Sequence, residues 1–224
     1  MLRRLGMLIC ALVLIAAAAP ARAGPRTTFV VSGDSFEFAL PDGFCFPDGH
    51  YEEAAKKAAA ADDVSLTLVS FADCSQMRAG SRVTRFAMIK TPKEFLNRTT
   101  DRAELLAALR AAMEDNSYDR WLNDPKAQAK SNESIRDAVG PDVRVSTDIK
   151  VVGVDEFAAY HLGVADVSMP DVQVKLWVAV SVTVIKGRQI YYFSYQPMGD
   201  AAGIPKVLRV LKAETMRLVK ANGG

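Results

Sequence analysis

The run Asp171–Ile185, DVQVKLWVAVSVTVI, constrains this chain more than any other stretch. Every even position from Val172 to Val184 is apolar: Val172, Val174, Leu176, Val178, Val180, Val182 and Val184. The odd positions carry Gln173, Lys175, Trp177, Ala179, Ser181 and Thr183. A period of two sustained this long predicts a strand with one apolar and one mostly polar face, the pattern of an antiparallel sheet. Lys186-Gly187 then supplies a tight turn, and QIYYFSYQ returns as the hairpin partner.

The other elements extend that sheet and cover it. TTFVVSG and SFEFAL read as extended segments broken at Gly33-Asp34, and Pro41-Asp42-Gly43 turns the chain. YEEAAKKAAAADD is rich in alanine and predicts a helix, with Glu52–Lys56 and Glu53–Lys57 in the favoured i,i+4 orientation. SLTLVSFA and RVTRFAMIK predict two strands. Thr91, Pro92 and Glu94 spell a capping box with proline at the first helical position. A second start at Asp101, with Glu104 three residues on, opens a helix whose Leu105, Leu106, Leu109, Ala112 and Met113 share one face. Residues 116–141, with Trp121, Leu122 and a breaking Pro125, predict irregular structure plus a short helix. VRVSTDIKVVGV and EFAAYHLGVADV predict two more strands, joined at Gly153 to Asp155. The closing helix stripes Ile204, Val207, Leu208, Leu211, Leu218 and Val219 along one side and ends at Asn222-Gly223. Together these elements predict an α+β fold, a largely antiparallel sheet covered by helices.

The first residues stand outside that fold. Arg3 and Arg4, the apolar run Leu5–Ala19 and the small-x-small site Ala21-Arg22-Ala23 predict a cleaved secretory signal peptide over residues 1–23. The run is shorter than the roughly 18–20 residues of a spanning helix, and no later run is long enough. Residues 24–224 are then expected to form a single α+β domain in a bacterial periplasm. Removing Arg3, Arg4 and Arg22 leaves 25 of the 28 Lys+Arg against all 26 Asp+Glu, a net charge of −1 rather than +2. So balanced a chain has no overall field to attract phosphate backbones or an anionic bilayer, and nucleic-acid binding is not expected.

Export also bears on the cysteines. Cys10 leaves with the leader, and Cys45 and Cys74 remain in an oxidising compartment with one possible pairing. Each lies just past a predicted strand end, with the alanine-rich helix between them. A bond closing that loop of 29 residues restricts the unfolded chain by roughly 3.6 kcal/mol. The rival use of these residues is a metal- or thiol-dependent site built from Cys45, His50 and Cys74 with Asp48 or Glu52. Those ligand types suit zinc, but there is no Cys-x-x-Cys and only one nearby histidine. His161, between Tyr160 and Leu162, points to the sheet face opposite theirs. No Gly-x-Ser-x-Gly, His-Glu-x-x-His or glycine-rich phosphate loop is present. No catalytic residue, metal or cofactor is therefore assigned.

Two surfaces are candidates for a partner. Trp177 lies on the polar side of the long strand, and Tyr191, Phe193 and Tyr195 share a face of the next. If these coincide they form an aromatic strip of the kind that anchors interfaces; if a helix covers that face, they are core. The closing helix also sets Lys206, Arg209, Lys212, Arg217 and Lys220 opposite its apolar stripe, either as a solvated face or as a contact for an anionic surface.

The segments FEFALPDGF, SLTLVSF, TPKEFL…LLAAL, VDEFAAYHLGVAD and VKLWVAVSVTVIKGRQIYYFSYQ, followed by a closing helix, resemble the PsbP/Mog1-like group over most of residues 35–220. That resemblance implies an α/β/α sandwich and a non-catalytic binding or accessory role. LPDGFC and FADC are similar instead to elements of exported bacterial proteins of unknown function. The expected protein is a periplasmic accessory or binding module of the cell envelope, its partner unidentified.

Overall fold

The structure, a computed structural model, describes residues 24–114, 142–199 and 203–224 continuously, and single positions or short pieces between 115 and 141. The leader reading of residues 1–23, and the reading around Trp121 and Leu122, lie outside the described residues.

A seven-stranded sheet forms the body. Its strands are β3 (Phe44–Cys45), β4 (Ser65–Asp73), β5 (Phe86–Pro92), β6 (Arg144–Val154), β7 (Ala159–Met169), β8 (Val172–Ile185) and β9 (Arg188–Pro197). Their spatial order is β3-β4-β5-β9-β8-β7-β6, and every neighbouring pair is antiparallel. β1 (Arg26–Val31) and β2 (Asp34–Ala39) form a separate hairpin. Four helices complete the described fold: α1 (Gly49–Ala61), α2 (Cys74–Arg78), α3 (Arg102–Glu114) and α4 (Ile204–Ala221). This is the α+β architecture expected, with the β1–β2 hairpin and α4 on one sheet face and α3 on the other.

The long alternating strand sits near the middle of the sheet, and its two faces differ from the expected division. From Leu176 to Ile185 every residue is buried, on both sides. The apolar even positions Val178, Val180 and Val182 meet Leu106 and Leu109 of α3. The odd positions face the larger core, where Trp177 and Ala179 pack with Tyr160, Tyr192, Val207 and Leu211. Ser181 and Thr183 tolerate that burial because their hydroxyls are bonded. Thr215 of α4 donates to Ser181 Oγ at 2.7 Å, and Thr183 reaches the Phe157 carbonyl. A buried hydroxyl with a partner costs little, so a polar alternation need not mark solvent.

Local signals account for most element ends. The Lys186-Gly187 turn has positive φ at both residues (50° and 77°), the primed geometry that matches strand twist. A Cβ at Gly187 would also lie 2.7 Å from Thr99. The first hairpin turns at Ser32-Gly33, one residue earlier than expected, because Val31 and Asp34 pair. α3 starts at its signalled cap, with the Asp101 carboxylate accepting from Glu104 N at 2.9 Å. The capping box at Thr91 does not open a comparable helix. Thr91 and Pro92 end β5, paired with Leu66 and Ser65, and only a single 3-10 turn, Lys93–Phe95, follows. Strand pairing of a fully buried Thr91 outweighs its capping tendency. Similarly, RVTRFAMIK becomes strand only from Phe86, because Gln76 takes up the backbone of Thr84 and Arg85.

Two asparagines finish the fold by imitating a strand. Asn222, at the end of α4, accepts from Glu37 N at 2.8 Å and donates to Glu37 O at 2.9 Å, fixing β2 to the helix. Asn123 makes the same paired bonds to Ile149 on the edge strand β6. Such amides satisfy backbone groups that would otherwise template pairing with another chain.

Candidate functional site

Cys45 and Cys74 are joined. Their Cα atoms are 5.1 Å apart, because Cys45 ends the short β3 beside Ala72 and Cys74 begins α2 directly after β4. The corner around the bond is polar and well tied. Asp73 caps α2 through Ser75 N and Gln76 N, and Arg85 binds its other oxygen at 2.7 Å while lying 4.3 Å over the Phe44 ring. The Ser75 hydroxyl, working against partial burial and helped by Arg85 and the two backbone donors, holds the Asp73 carboxyl down to about 2. His50 is exposed on α1 and lies against Tyr51, with ring centroids 3.9 Å apart. The bonded sulfurs offer no thiolate to a metal or substrate, and among the described residues no group of three or more His, Cys, Asp or Glu converges.

The four aromatic residues proposed from the sequence are not brought together. Trp177 pairs with Gln196 and packs in the core under α4. Tyr191, Phe193 and Tyr195 pair with Val182, Val180 and Val178 and occupy the opposite, α3 face. The sheet itself separates them. On their own face the three rings form a ladder, with successive centroids 6.3 and 6.5 Å apart. β5 extends it. Phe86 stacks on Tyr195 at 4.5 Å, Met88 lies opposite Phe193, and Lys90 sits 5.6 Å over the Phe193 ring. All six side chains are half-buried. Phe86, Met88 and Lys90 were legible as an alternation in RFAMIK, but only the β5–β9 register joins them to the ladder.

Electrostatics around the ladder come from α1. Asp62, past the end of that helix, accepts from Lys90 Nζ at 2.7 Å and from Val64 N and Ser65 N. Burial pushes its carboxyl up, but the Lys90 hydrogen bond and charge outweigh that and lower it. Burial, with the Asp62 charge behind it, pushes the Tyr195 phenol up to about 12. The Tyr195 hydroxyl therefore stays neutral at ordinary pH, beside the ring faces of the ladder. His161, also on this face, is buried opposite Val180.

No family model and no curated protein matches the chain. Among solved structures it is similar to the solution structure of cyanobacterial PsbP (CyanoP) from Synechocystis sp. PCC 6803, at 14% identity over 96% of each chain. The TM-score is 0.37, too low to carry any argument, so the fold stands on its own topology.

Proposed function

We propose that this chain is an exported, non-catalytic accessory or binding protein of the cell envelope, active in the periplasm. The observation that carries this reading is the Cys45–Cys74 bond. Disulfides persist in oxidising compartments, and the N-terminal pattern of Arg3, Arg4 and Leu5–Ala19 is the sequence counterpart of that destination. The bond also speaks against the metal- or thiol-dependent enzyme, which needs both sulfurs free. For a binding surface, the Phe86, Tyr191, Phe193 and Tyr195 ladder supplies the rigid aromatic residues that interfaces favour.

Intact mass of protein recovered from the periplasm tests this first. The expected chain begins at Gly24 and is two hydrogens light. Changing both cysteines to serine should lower unfolding free energy by roughly 3.6 kcal/mol at most, read by denaturant titration. A retained leader, or free thiols in the native protein, would sink the proposal.

A further inference from the structure

The charges of α4 are five cations, Lys206, Arg209, Lys212, Arg217 and Lys220, and one acid, Glu214. Lys212 turns aside, 3.6 Å from Asp155 and over the Tyr160 ring. Glu214 is buried on the core side. The exposed side therefore presents Lys206, Arg209, Arg217 and Lys220, the last with its ammonium 5.7 Å over the Phe157 ring, without an exposed acid of the same helix. Between them stand two exposed apolar residues, Val210 at 46% and Met216 at 37%. From Lys206 to Lys220 the line runs about 21 Å at 1.5 Å per residue. Residues 24–224 are close to neutral as a whole, so this positive charge is local.

We propose that this face of α4 docks peripherally on an anionic lipid bilayer. The favoured occupant is a bilayer rather than an acidic protein because the cations line the outer, solvent-exposed side of a single helix. Val210 and Met216 among them suit the headgroup boundary. The helix cannot rotate to insert its apolar stripe, because Val207, Leu211, Leu218 and Val219 are locked in the core and Asn222 clamps its end to β2. Contact is thus by charge, reversible and salt-dependent. Arg217 also pairs with Glu214, which accepts through Oε1 at 3.0 Å while burial pushes that carboxyl up and the Arg217 charge opposes it. Two exposed acids border the patch: Glu37 on β2, whose backbone holds Asn222, and Asp42, whose charge acts on Glu214.

The inference rests on the export reading only for where the chain would meet such a surface. Protein recovered after export is sedimented with vesicles of phosphatidylcholine, with and without phosphatidylglycerol. Binding is expected only to the anionic vesicles and should be lost at high salt. Lys206→Gln with Arg209→Gln should weaken it roughly thirty-fold, at about a fivefold loss per cation. Lys56→Gln with Lys57→Gln on α1 should leave it unchanged, and all proteins should melt alike. Equal binding to both vesicles, binding to neither, an unweakened α4 variant, or capture by poly-glutamate without capture by vesicles would each overturn the proposal. A retained leader overturns the export reading alone, because the α4 variant is scored against its own parent.

Discussion

The two faces of the sheet bury their residues by different means. Under α4 and the β1–β2 hairpin, aromatic rings interlock with aliphatic side chains: Phe38, Phe44, Phe71 and Tyr192 meet in tilted and edge contacts, and Leu211 and Val219 close over them. Polar atoms on that side are few and mostly matched, as in the Thr215–Ser181 pair. Under α3 the buried set among the described residues is smaller, and the aromatic ladder beside it is half-buried. The valine-rich face of β8 thus meets the lesser core, while the face bearing serine and threonine meets the greater one. Burial followed the available covering elements more closely than it followed hydropathy.

Three changes would sharpen or break that comparison. The largest effect belongs to truncations in the two helices. Leu211→Ala should cost toward the upper part of the roughly 2–5 kcal/mol range for such cavities, and Leu109→Ala toward the lower part. Chemical denaturation of both variants reads the difference, and an equal or reversed order would refute the ranking of the two faces. Next comes the hydroxyl pair. Thr215→Val leaves Ser181 without its donor and should cost about 1–3 kcal/mol, whereas Thr215→Val with Ser181→Ala should recover much of that loss. No recovery in the double variant would mean that the pair does not act as a unit.

The smallest effect concerns pH, with opposite signs on the two sides. Asp62 is lowered from 3.8, so its stabilising contribution is present above about pH 4 and fades as pH falls below it. Glu214 is raised from 4.5, so its ionisation removes stability as pH climbs above that value. Melting temperature against pH should therefore show Asp62→Asn losing stability mainly near neutrality. Glu214→Gln should gain there relative to acid. Parallel profiles for the two variants would contradict the assignment.

Much of the fold was readable because its cues are local. The Lys186-Gly187 turn, the Asp101 cap and the alternation of β8 each depend on neighbours within a few residues. Thr91-Pro92-Glu94 misled because a local cap competed with a long-range strand pairing and lost. The candidate surface was half legible. Tyr191, Phe193 and Tyr195 share a face by strand period alone, but Trp177 could be placed only by its register against Gln196. Phe86 joined the ladder from a strand about a hundred positions away, where no periodicity connects them.

By itself the sequence determined the elements, the antiparallel class, the charge stripe on α4 and the spacing of Cys45 and Cys74, since all of these are short-range or compositional. Tertiary structure decided which face of β8 became the main core, that the two cysteines meet, and that the sheet divides Trp177 from the tyrosines. Those outcomes depend on the order β3-β4-β5-β9-β8-β7-β6 and on which side each helix crosses, and both are settled only when distant segments compete to bury the same surface.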